Sequence, residues 1–186
     1  MKLTAYPFSV AVDEHGVLAP ATSTIERRLS HMKGMYANAT AEESILQEGD
    51  PVIYEVFQAD VPEFAGELAV CTTVLHPGKV GDEFFMTKGH FHSQRDRAEV
   101  YYGLTGRGLL LLAKDGEARE VAIEPRTAAY VPPYWAHRTV NTGPEPFVFL
   151  AVYPGDAGHD YGTIETDGFP QIVVEQDGEA AVQANR

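Results

Sequence analysis

The chain of 186 residues holds one cysteine, one tryptophan and only 14 lysines and arginines against 27 aspartates and glutamates. A lone Cys71 excludes an internal disulfide framework. It sits in Leu68-Ala69-Val70-Cys71-Thr72, which reads it as a small buried hydrophobe rather than a reactive thiol. A reducing, cytoplasmic setting is expected on that basis. The formal net charge of −13 repels phosphate backbones and anionic bilayers, so nucleic acid and membrane surfaces are not expected partners. No run approaches the ~18 apolar residues of a membrane span. Met1-Lys2-Leu3-Thr4-Ala5-Tyr6-Pro7 lacks the apolar stretch of a secretory leader. Fixed-period repeats and low-complexity runs are missing too.

What the chain does have is 44% hydrophobic residues, enough for one good-sized core. Residues 1–50 read as an N-terminal arm packed on the main domain. Thr24-Ile25-Glu26-Arg27-Arg28-Leu29 opens a short helix capped by Ser23 or Thr24. Thr40-Ala41-Glu42-Glu43 forms a capping box for a second helix closed by Gly49. Residues 51–186 then turn to short β-rich runs. These are 52–57, 68–75, 83–86, 98–104, 108–112, 128–131, 146–153 and 171–175. Pro77-Gly78, Gly106, Asp115-Gly116, Pro132-Pro133, Gly143-Pro144 and Pro154-Gly155 punctuate them. Many short strands with frequent turns predict an all-β barrel or sandwich.

The chemistry concentrates at His90-Phe91-His92, with Glu99 and His137 further on. Two histidines one residue apart share a face of a strand, because strand side chains alternate. Glu99 and Tyr101 share a face of the next run for the same reason. Three imidazoles and a carboxylate suit one divalent first-row metal with coordination positions left open. His15, His31 and His76 lack such spacing and read as surface residues. Lys88 alternates away from His90 and reads as an outward charge. Trp135 reads as a core or interface residue.

These motifs resemble the cupin superfamily. His90-x-His92, Glu99-x6-Gly106, and Pro132, His137 and Asn141 fall where its two motifs place them. Six residues separate His92 from Glu99 where three or four are usual. Arg126 and Tyr134 stand where glycine is usual, which implies altered turns with the ligands kept. The resemblance implies a jelly-roll-like, double-stranded β-barrel.

A closer resemblance spans nearly the whole chain. Asp50-Pro51-Val52-Ile53-Tyr54-Glu55-Val56, Glu83 to His92, Tyr130 to Asn141, and Tyr153-Pro154-Gly155-Asp156-Ala157-Gly158-His159-Asp160-Tyr161-Gly162-Thr163-Ile164 are similar to the cupin-type glucose-6-phosphate isomerases. The long His92 to Glu99 spacing and Tyr134 are typical of that family. The resemblance implies interconversion of glucose 6-phosphate and fructose 6-phosphate, a step of glycolysis and gluconeogenesis. It implies one divalent ion per chain on His90, His92, Glu99 and His137, with Fe²⁺ first and Mn²⁺, Ni²⁺ or Zn²⁺ as alternatives. It also implies catalytic roles for Glu99, Tyr101 and His159, and sugar contact by Tyr54. Phosphate contact would come from Thr73, Thr87 and the Gly89 N–H, with Tyr153 and Tyr161 nearby. A homodimer is implied as well. Two other readings of the ligand set are a metal-dependent dioxygenase and a non-catalytic sugar-binding cupin.

Overall fold

The computed structural model describes residues 7–185; Met1–Tyr6, read above for leader character, and Arg186 lie outside the described residues. The first half contains β1 (Ala11–Val12), β2 (Leu18–Ala19), β3 (Ser23–Arg28), a 3-10 turn at Leu29–Met32, α1 (Ala39–Glu48), β4 (Val52–Gln58), β5 (Leu68–Leu75), β6 (Lys79–Val80) and β7 (Glu83–Phe84). The second half contains β8 (Glu99–Thr105), β9 (Gly108–Lys114), β10 (Glu117–Ile123), β11 (Ala128–Val131), β12 (Ala136–Asn141), β13 (Phe147–Pro154), α2 (Gly162–Asp167), β14 (Gln171–Gln176) and β15 (Glu179–Ala184).

Every strand pair is antiparallel. A six-stranded sheet runs β11-β8-β13-β5-β4-β3 and faces a three-stranded sheet, β10-β9-β12. Between them lies the core, with Leu75, Leu110, Ile123, Phe147 and Phe149 essentially inaccessible to water. Burying such side chains is worth about 1.5–3 kcal/mol each. A four-stranded sheet, β15-β14-β7-β6, packs beside them. The all-β, jelly-roll-like barrel of cupin type is therefore present. Burial alternates along β8, with Glu99, Tyr101 and Gly103 inward and Val100 and Tyr102 outward.

The amino-terminal expectations need two corrections. Thr24 to Leu29 do not open a helix: residues 23–28 are β3, paired with β4 at Ile25↔Val56 and Arg27↔Tyr54. Pairing to a strand distant in sequence outweighs the local capping signals. The second helix is present, but its N-cap is Asn38, whose Oδ1 accepts from the Ala41 N–H at 3.0 Å. Glu42 instead accepts from the Gly34 N–H through both carboxylate oxygens. Gly49 does close the helix, donating to the Ile45 carbonyl at 2.9 Å. Leu29, Met32 and Tyr36 join the main core.

Residues 90–92 also differ from the expected regular strand. They form isolated bridges, His90↔His137 and Phe91↔Asp160. The backbone is extended enough to send both imidazoles to one side, yet it is held by two different neighbours.

Candidate metal centre and pocket

Each ligand candidate comes from a different part of the barrel. His90 and His92 lie on the bridged segment, Glu99 opens β8, and His137 is the second residue of β12. Backbone bonds His90 N→His137 O (3.1 Å) and His137 N→His90 O (3.0 Å) clamp the two segments together. One ligand atom from each of His90, His92, Glu99 and His137 falls within 4.8 Å of every other. Glu99 Oε2 lies 3.1 Å from His92 Nε2 and 3.0 Å from His137 Nε2.

The rings are oriented from behind. His92 Nδ1 lies 3.0 Å from the Arg97 carbonyl and His137 Nδ1 lies 3.2 Å from the Trp135 carbonyl. A carbonyl only accepts, so Nδ1 carries a proton; Nε2 faces Glu99 and would turn its lone pair to a cation bound there, the tautomer a metal requires. His90 Nε2 is buried with no hydrogen-bond partner, a costly state for a polar atom unless something electrophilic sits opposite it. These residues fit a divalent cation.

Electrostatics agree with that fit. Burial alone would raise Glu99, but hydrogen bonds and charge from His137 and His92 outweigh it and hold the carboxyl down at about 2. It is an anion at any working pH. Burial, together with its histidine neighbours, holds His90 well below the usual histidine range, so it stays neutral. Tyr101, buried beside Glu99, is pushed well above the ordinary phenol value, first by burial and then by the carboxylate. It remains a proton donor. Cys71 is buried and its thiol is pushed up to about 12, chiefly by burial, which bears out an inert side chain.

A cavity of about 310 Å³ opens onto the cluster. Strand alternation builds its wall. β4 contributes Tyr54, Val56 and Gln58; β5 contributes Ala69, Cys71 and Thr73; β13 contributes Phe149, Ala151 and Tyr153. β8 adds Glu99 and Tyr101, and β12 adds His137 and Thr139. Thr87, Gly89, His90, His159 and Tyr161 line it too, as does the carboxylate residue Glu63, so every pocket residue expected from the sequence lines one space. His92 sits just behind the lining, 4% exposed. The His159 and Tyr161 rings are stacked, with centroids 5.7 Å apart and planes 8° apart, and His159 also lies 4.5 Å from the His90 ring.

Several assignments change. Lys88 lines the cavity, while its Nζ turns to Glu165 Oε1 at 2.7 Å in an exposed ion pair. Arg27 and Thr139 line the cavity and were missed. Arg27 was hidden by the helix reading; an alternating Ile25/Arg27 face was the signal available. Arg126 and Tyr134 do not signal altered turns. Both adopt the left-handed backbone, φ 71 and 72, that glycine usually supplies, so the turns are kept with non-glycine residues in them. The long His92 to Glu99 connection also has a structural reason. It docks on the loop after β13, where Arg97 Nε and Nη2 grip Asp156 at 2.9 and 2.6 Å. His15 and His31 are exposed, as expected, while His76 is half-buried against Glu55 at 3.1 Å. Trp135 is half-buried and packs on the core.

An antiparallel cupin-type barrel whose interior gathers three imidazoles and a carboxylate defines a protein with an enclosed site able to hold a divalent metal. The glucose-6-phosphate isomerase family matches residues 26–186, and this chain belongs to that family. It is 56% identical over 181 residues to a glucose-6-phosphate isomerase of Thermococcus litoralis, covering 96% of this chain and 95% of the other. It is 45% identical over 166 residues to one of Sinorhizobium medicae, covering 88% and 78%. Among solved structures it overlaps an oxalate decarboxylase of Bacillus subtilis with TM-score 0.44 and 24% identity, covering 57% of this chain and 26% of that longer one.

Proposed function

We propose that this chain interconverts glucose 6-phosphate and fructose 6-phosphate in the barrel cavity, using one divalent ion held by His90, His92, Glu99 and His137. The observation that carries the reading is the convergence of those four groups, three of them fully buried, at a cavity whose walls include several hydroxyl-bearing residues. A bound ion would act as a Lewis acid on oxygen atoms of the substrate.

The chain's own groups do the rest. Thr73, Thr87, the Gly89 N–H, Tyr153 and Tyr161 would surround the phosphate, since hydroxyls and amide donors fit the geometry of an anion. Tyr54 and Tyr101 would orient the sugar. His159 stands at the cavity mouth, and desolvation, the main influence on it, lowers its ring below the usual histidine value. It is thus a neutral imidazole able to accept a proton at neutral pH. Glu99 is the other candidate base, although its low proton affinity favours a ligand's role. A hydride shift between C1 and C2 would need no base. Reaction in labelled water separates the routes: label at the transferred position supports proton transfer through an enediol, and its persistent absence supports the shift.

The deciding experiment is chelation followed by metal add-back in an assay coupled to glucose 6-phosphate formation. Turnover should vanish and return, with Fe²⁺ the best of Fe²⁺, Mn²⁺, Ni²⁺ and Zn²⁺. His92→Ala should stay folded yet regain less than about 1% of the activity, because a lost orienting ligand weakens both affinity and geometry. Full turnover in that variant, or after chelation, refutes the ligand assignment. Family membership favours this reading over an oxygenase or a non-catalytic sugar binder.

A homodimer in the cytoplasm completes the proposal. Val100 and Tyr102 on β8 and Tyr130 on β11 are exposed neighbours at the sheet end, with Tyr130 paired to Val100. Such an apolar edge invites cover. Sedimentation should give twice the chain mass of 20.4 kDa at micromolar concentration; a pure monomer there refutes the dimer.

A further inference from the structure

We propose that Arg27 is the charged clamp for the substrate's phosphate and the residue that selects phosphorylated over free sugar. This deepens the function proposed above and rests on it. Arg27 sits where β3 meets a bulge: it pairs with Tyr54, and the next residue, Arg28, pairs with Val52, so Ile53 is passed over. Side chains alternate about that point. Glu26 and Arg28 lie outside, where Arg28 Nε donates to Glu26 Oε1 at 2.7 Å and Nη1 to the Asp50 carbonyl at 2.9 Å. Arg27 follows Ile25 into the cavity.

There its guanidinium is left over. Among the described residues it has no carboxylate partner; it reaches the Tyr54 hydroxyl and makes a long 3.5 Å contact from Nη1 to the Glu26 carbonyl. A guanidinium brings five N–H donors in a planar fork. Other cations near the cavity are differently placed: Lys88 meets Glu165 at 2.7 Å, Arg95 meets Asp160 at 2.7 Å, Arg97 meets Asp156, and Arg138 is buried beneath Gly89, donating to the Lys88 carbonyl and Met86 Sδ. Arg27 lines the same cavity as the Tyr54 and Tyr161 side chains. Thr87 and Gly89 line the same space.

A phosphate monoester carries about −1.5 to −2 at neutral pH. The protein's own charge of −13 opposes its approach. Neutral donors satisfy geometry but supply no countercharge. A cavity-lining guanidinium with no carboxylate partner supplies both, by bidentate contact with two phosphate oxygens.

The test compares Arg27→Ala and Arg27→Lys with the wild type, all metal-loaded. Affinity for inorganic phosphate is read by calorimetry, alongside KM and kcat for fructose 6-phosphate. Arg27→Ala should weaken phosphate binding and raise KM by about 10–100-fold, as expected for a charge-assisted contact, with a smaller change in kcat. Arg27→Lys should recover part of the loss, since it keeps charge but not the fork. Metal content should not change, because Arg27 makes no hydrogen bond to the four ligand residues. Phosphate affinity and KM both unchanged in Arg27→Ala overturn the assignment, and so does a fall in kcat alone. A wild type that binds phosphate but does not isomerise refutes the proposed activity. Loss of phosphate binding in Arg27→Ala would still uphold the clamp.

Discussion

At Gly89 the backbone takes φ +77, and a Cβ there would lie 2.9 Å from Arg138 Cβ and 3.2 Å from the His137 carbonyl oxygen. The left-handed conformation costs other residues about 1–2 kcal/mol. Arg138 fixes this turn from beneath: it is 3% exposed, its Nη2 donates to the Lys88 carbonyl at 2.6 Å, and its guanidinium lies 4.9 Å from the Phe169 ring centre. One glycine thus lets this cavity-lining segment take a left-handed turn packed close over Arg138. Gly89→Ala should lower stability in urea by roughly 1–3 kcal/mol, combining strain with the close contact. It should also raise KM more than it lowers kcat. An unchanged KM in a folded Gly89→Ala protein would remove this amide from the substrate site. The sequence showed Gly89 as a candidate only through family resemblance; the need for φ > 0 comes from the bridge to β12.

Between single residues and the barrel, two loops act as one unit. The 93–98 connection and the loop after β13 are joined by Arg97–Asp156 and by Arg95–Asp160, and Phe91 bridges to Asp160 through the backbone. Asp160 also accepts from the Thr163 N–H (3.3 Å) and hydroxyl (2.9 Å), which tie it to α2. This unit carries His159 and Tyr161. Hydrogen bonds from Thr163, then the Arg95 charge, hold the Asp160 carboxyl below its usual range. A depressed carboxylate contributes stability above its unfolded value of about 3.9 and loses it as pH falls through the folded value. Asp160→Asn should therefore melt lower than wild type at pH 7, and the two curves should converge as pH drops below about 4. Parallel curves down to acid pH would show that Asp160 contributes nothing through its charge. At this scale the sequence was uneven. Leu68–Leu75 was read to its ends because an apolar run met clear turn signals. Residues 23–28 were misread because Ser23 and Thr24 serve equally as caps and as strand residues, and only pairing with β4 decides.

The whole molecule stores part of its stability in the cluster at its centre. Glu99, His92 and His137 are buried, and there an unneutralised carboxylate and the unpartnered, buried Nε2 of His90 are costly. A cation that binds only the folded chain stabilises it by mass action, about 2.7 kcal/mol at a hundredfold excess over its dissociation constant. For a chain of this length that corresponds to roughly 5–10 °C in melting temperature. Chelation should lower the melting temperature by this amount, metal should restore it, and His92→Ala should ignore both treatments. A wild-type curve indifferent to chelator would mean that no cation binds there with useful affinity.

The sequence by itself determined the strand pattern, the four ligand residue types, and the family to which the chain belongs, because these depend on local alternation and on motifs close along the chain. Only the tertiary structure decided that residues 90–92 are held by bridges, that Arg126 and Tyr134 keep glycine-like turns, and that Arg27 and Lys88 face the cavity. The reason is physical. Which face of a strand turns inward, and which charge finds a partner, depend on neighbours far away in sequence. Arg27 and Arg28 are adjacent and alike in chemistry, yet strand alternation sends one to a carboxylate outside and leaves the other lining the cavity.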